Sequence, residues 1–119
     1  MARRGNKTVR QLLIKDTNKN LHVIVLQNPK ITLDEVAEYA KLPGLSKDGL
    51  RMIAQNRSWS NSRQVVLNLV RNPATPLDLA VSLVSRLTQA EWRVLAQSSG
   101  VKMPIAGQAR KMLMSKGQR

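Results

Sequence analysis

Two short motifs recur along this chain at nearly the same interval, and that recurrence limits the possible folds more than any other feature. The stretch QNPKITLDEV (27–36) returns 44 residues later as RNPATPLDLA (71–80). LRMIAQN (50–56) returns as WRVLAQS (92–98), with a looser copy in VRQLLIK (9–15), so Arg10, Arg51 and Arg93 stand 41 and 42 residues apart. The motifs alternate in one order, which makes a unit of about 42 residues laid about three times. If the copies stack, equivalent positions line up from one to the next.

Within each unit the apolar spacing is helical. Aliphatic residues fall three and four apart in LHVIVLQN, RQVVLNLVRN, LDEVAEYAKL, LDLAVSLVSRL, EWRVLAQS and IAGQARKML, and strict strand alternation is absent. Thr32 with Glu35 and Thr88 with Glu91 form Thr-x-x-Glu capping boxes, Thr75 precedes Pro76 at a first helical position, and Ser46 and Ser60 are further caps. The pattern predicts eight helices near 8–15, 20–27, 33–41, 47–56, 61–71, 76–86, 89–97 and 104–115. With 42% hydrophobic residues but only Tyr39, Trp59 and Trp92 as aromatics, the packing must be aliphatic. A length of 119 residues allows one modest core. The expected division is a basic arm at 1–7, one helical domain at 8–115 and a basic tail at 116–119.

The Asn-Pro motif reads as a corner. Asn28 and Asn72 close one helix by tolerating the left-handed conformation, and Pro29 and Pro73 prevent continuation. Thr32 or Thr75 caps the next helix, Leu33 or Leu77 returns to the core, and Asp34, Glu35 and Asp78 suit the dipole of a first turn.

Helical units of this length, with NPKIT and NPATP corners and the repeated x-Arg-x-aliphatic-Ala helix, resemble HEAT-like repeats, and the NPATPLDLA stretch is similar to leucine-rich-repeat variants. The resemblance covers roughly residues 8 to 115. It implies an all-α fold, a short right-handed α-solenoid of about eight helices, and a role in binding protein or DNA; no catalytic residue carries over. The partly matched first unit leaves open whether the chain is complete or one end of a longer array. A second likeness, of TLDEVAEYAKLPGLSKDGLRMI (32–53) to a helix-turn-helix, is weakened by the long turn at 41–44 and by Gly49 in the second helix.

Twenty Lys and Arg face seven Asp and Glu, for a net charge of +13. Only residues 20–50 run slightly acidic. Such a field favours polyanions. The candidate contacts to nucleic acid are Arg3, Arg4, Lys7, Arg10, Arg51, Arg57, Arg63, Arg93, Arg110 and Lys111. For Arg10, Arg51 and Arg93 two roles stand side by side, an ion pair with a neighbouring acid and a row of phosphate contacts. Trp59 either plugs a helix joint or stacks on a base, with the plug favoured. The function expected is non-enzymatic binding of DNA, slightly ahead of RNA, through phosphates and without sequence reading; the alternative is a scaffold for an acidic protein partner. With no Cys, one His and no Gly-rich phosphate loop, no metal, cofactor or catalytic set is expected, and Asp16 and Asp78 are isolated candidates for a base. No apolar run is long enough for a membrane span and the basic start lacks the apolar stretch of a secretory signal, so a cytoplasmic protein is expected.

Overall fold

The computed structural model describes residues 7–98 and 100–117. Among these, nine helices form and no strand: α1 (Lys7–Leu13), α2 (Lys19–Leu26), α3 (Leu33–Tyr39), α4 (Lys47–Gln55), α5 (Arg57–Ser60), α6 (Arg63–Arg71), α7 (Leu77–Val84), α8 (Gln89–Gln97) and α9 (Met103–Gly117). The eight predicted helices are all present. The ninth, α5, is a single turn whose first N–H groups are met by Asn56, with Trp59 N–H donating to Asn56 Oδ1 at 3.1 Å. It displaces the predicted start of the following helix, which Ser62 caps in place of Ser60. Lys7 lies in α1, and α9 takes in residues 116 and 117. Residues 1–6, 118 and 119 lie outside the described residues.

Side chains at helical spacing build the core. On α4, Leu50, Ile53 and Ala54 are buried while Arg51 faces out; on α6, Val65, Val66, Leu69 and Val70 are buried. α2 packs on α4, α3 and α4 pack on α6, α6 packs on α7, and both α7 and α8 pack on α9. Gly49 belongs to this contact, since a Cβ there would come within 3.1 Å of Ser46 Oγ and 3.3 Å of Leu26 Cδ1. Its missing side chain lets the start of α4 lie close against Leu26 of α2, at the cost of the low helix propensity of glycine. Trp92 is core, its indole N–H donating to Val84 O at 2.7 Å, and Trp59 is a half-buried plug against the same cluster.

The principal extents are 55 × 24 × 18 Å, and the radius of gyration is 15.2 Å, longer than the roughly 13.5 Å expected of a rounded domain of this length. No helix among the described residues is long and apolar enough to cross a membrane.

The two Asn-Pro corners have the same outline and different internal bonding. Both capping boxes form as predicted, at Thr32 with Glu35 and at Thr88 with Glu91. α7, however, starts at Pro76 with no side-chain cap, because Pro76 and Leu79 stand where the first copy has Thr32 and Glu35. Thr75 is not a cap: it is buried and its hydroxyl donates to Leu69 O at 2.7 Å. Asn72 is extended, with φ −76° and ψ 119°, not left-handed. Its buried amide donates to Ala40 O, at the C-cap of α3, at 2.8 Å and to Leu42 O, which also accepts the Leu45 N–H, at 2.9 Å. Leu33 and Leu77 do not return to the core; they are 45% and 40% exposed.

Candidate nucleic-acid interface

The arginine of the recurring helix meets three different environments. Arg10, in α1, is buried, and its Nε and Nη2 donate to the two carboxylate oxygens of Glu35 at 2.7 and 2.6 Å. Tyr39 OH donates to the same carboxylate at 3.1 Å, as does the Thr32 N–H at 3.2 Å. These donors, Arg10 first, hold the Glu35 carboxyl down at about 2 against the opposing effect of burial. Burial, with the neighbouring Glu35 carboxylate, pushes the Tyr39 phenol up. Of the two roles expected for Arg10, the structure shows the ion pair with a neighbouring acid. Arg51 in α4 reaches Asp78 in α7 at 3.9 Å, with both side chains exposed. Arg93 in α8 is exposed and has no carboxylate partner among the described residues.

The remaining expected contacts are exposed, apart from Arg3 and Arg4, which lie outside the described residues. Lys7, Arg57 and Lys111 face solvent; Arg63 lies 4.0 Å from Glu91, and Arg110 donates to Ala96 O at 3.2 Å. The carboxylates are largely occupied: Glu35 is buried, Glu91 closes a capping box, Glu38 pairs with Lys41, and Asp16 accepts the Asn18 N–H. Exposed pairs of the Arg51 kind contribute little, about 0–1 kcal/mol, and leave the cation free to exchange partners.

Placement matters as much as number. α2, α4, α5 and α6 each begin on a basic residue: Lys19, Lys47, Arg57 and Arg63. The positive end of the helix dipole disfavours a cation there, by about 0.3–1 kcal/mol at an exposed site, and welcomes an anion.

Two grooves gather cations in different surroundings. One, of about 340 Å³, runs along α6 past Lys41, Gln64, Asn68 and Arg71 and adjoins a cavity that also carries Asp34, Glu35 and Glu38. The other, of about 630 Å³, lies where the starts of α2, α4 and α7 meet the segment before α9, and it holds Lys19, Lys47 and Lys102 against Asp48. Sequence reasoning missed these three lysines because it followed the arginine motif. The available signal was a lysine directly after the caps Asn18 and Ser46, where a carboxylate is the usual choice.

His22, the lone histidine, is a buried strut. Its Nδ1 accepts the Ser46 N–H at 3.0 Å, so the other ring nitrogen carries the proton and donates to Asp16 O at 2.7 Å. Among the described residues no group of three or more His, Asp or Glu side chains could hold a metal ion. Compared with family models, with curated proteins and with solved structures, the chain matches none.

Proposed function

We propose that this chain is a non-enzymatic helical-repeat module of the cytoplasm that binds nucleic acid, duplex DNA ahead of RNA, through its phosphates. The observation that carries the reading is the set of exposed cations, most without a carboxylate partner among the described residues and four of them at helix starts. Phosphates neutralise such charges and accept from the free N–H groups of helix ends. The shared corner and arginine motifs, with the extended 55 × 24 × 18 Å shape, support reading the helices as a short right-handed solenoid. The expected contacts are Arg51, Arg57, Arg63, Arg93, Arg110 and Lys111, joined by Lys7, Arg3 and Arg4. Contacts to phosphates carry no sequence information, so binding is expected to be indifferent to sequence.

Fluorescence anisotropy with two unrelated duplexes at several salt concentrations tests this. Log affinity should fall linearly with log salt, by about 0.9 per phosphate neutralised, with the same slope on both duplexes. Replacing Arg57 and Arg93 by Gln should lower that slope. No binding to any nucleic acid, together with tight binding to an acidic protein, would move the assignment to the scaffold reading.

A further inference from the structure

We propose that the groove between the starts of α2, α4 and α7 is a phosphate-binding site that seats consecutive phosphates of a nucleic-acid backbone. The choice of backbone rests on the nucleic-acid reading above; the affinity of the groove for phosphate groups does not.

Its three cations come from three parts of the chain: Lys19 opens α2, Lys47 opens α4 and Lys102 directly precedes α9. Two of them are pinned across the groove. Lys19 Nζ donates to Gly44 O at 2.8 Å and Lys102 Nζ donates to Pro73 O at 3.0 Å. An ammonium has three N–H donors, so each keeps two for a ligand, and Lys47 donates no hydrogen bond among the described residues. Holding three ammoniums near one another costs Coulomb energy in the free protein, and an anion between them relieves it. Asp48 is the lining carboxylate that opposes them.

The other polar groups of the wall are turned away. The Ser46 hydroxyl accepts the Gly49 N–H and the Thr75 hydroxyl donates to Leu69 O. The wall also includes the uncapped start of α7 at Pro76 and Leu77. It has no aromatic ring to stack a base and no guanidinium fork to clasp a carboxylate. Compact point charges beside Pro43, Leu45, Pro73 and Leu77 suit a phosphate with an apolar sugar face next to it. The volume of about 630 Å³ is within the range of ligand sites, roughly 300–1,000 Å³.

The test uses the full chain and two charge-matched variants: Lys19→Gln/Lys47→Gln/Lys102→Gln in the groove, and Lys15→Gln/Lys30→Gln/Arg86→Gln outside it. Both are titrated with inorganic tripolyphosphate by calorimetry and with a duplex over a salt series. Tripolyphosphate binding should weaken at least tenfold in the groove variant and stay unchanged in the control, while the duplex salt slope falls by about 2 or more in the groove variant, at about 0.9 per phosphate. If the triple variant melts early, Lys47→Gln alone serves, with an expected slope change of about 0.9. Equal behaviour of groove and control variants would overturn the site while leaving the general nucleic-acid reading intact. Tripolyphosphate held in the groove by a protein that binds no nucleic acid would instead overturn the backbone assignment and assign the site to free polyphosphate.

Discussion

Arg10 and Arg51 occupy the same place in a recurring motif, yet only Arg10 is locked. Its partner Glu35 is both the third residue of α3 and the acid of a capping box, and Tyr39 lies one turn further on, so Arg10, Thr32 and Tyr39 together satisfy the buried carboxylate. The second copy has Leu79 and Leu83 at those positions, and Arg51 settles for the exposed Asp78. Removing one partner of a buried pair strands the other, at a cost of about 3–5 kcal/mol. Arg10→Leu is therefore expected to lower the melting temperature by more than about 10 °C, and Arg10→Met/Glu35→Leu to recover only part of the loss, since the Tyr39 hydroxyl and the Thr32 N–H lose their acceptor; calorimetric melts compare the three. The acid limb of stability follows from the same carboxylate. Its folded-state pKa is depressed from the ordinary 4.5 to about 2, so its contribution is complete above 4.5 and disappears as pH falls towards 2. Urea midpoints taken from pH 5 down to pH 2.5 should fall more steeply for the native chain than for Glu35→Gln. The arginine period was legible in the sequence, while its burial was not, since Arg10 lies at the edge of an apolar face and periodicity does not choose between inside and out. The pattern Thr32-x-x-Glu35-x-x-x-Tyr39, lost in the second copy, was the signal that separates them.

At the level of helices and corners, the eight elements were visible because apolar spacing and capping residues agree, whereas α5 is too short to show a period. The corners are read correctly as corners and incorrectly in their bonding. Asn72 is not a left-handed stop but a bracket that ties α6 to the end of α3, while Asn28 holds only the Lys30 N–H in its own turn. A sequence shows that Asn follows a helix; which carbonyl its amide reaches depends on how neighbouring helices pack. Asn72→Ala strips the donor from Ala40 O and one of two donors from Leu42 O, and is expected to cost about 1–3 kcal/mol, against less than about 1 for Asn28→Ala. Urea unfolding should show this as a lower midpoint at unchanged slope for Asn72→Ala. The groove lysines were invisible for the same reason: they stand far apart in sequence, and only the packing of α4 beside the 73–77 corner brings them to one place.

For the molecule as a whole, a net charge of +13 on 119 residues makes self-repulsion a general destabilising force. Raising sodium chloride from 10 to 150 mM shortens the screening length from about 30 to about 8 Å, so the melting temperature should rise across that range before any ligand is added; a flat or falling trend in thermal melts would show that the charges do not repel one another effectively. Composition announced this field, but not that three of its lysines meet in a groove beside the corner that begins α7. The order of packing has its own outcome. Because each helix rests mainly on partners close to it in sequence, along a body more than twice as long as it is wide, structure can nucleate locally and spread lengthwise. Damage at one tip then leaves the other its own contacts: α7 and α8 keep their packing on α9 when α1 is frayed.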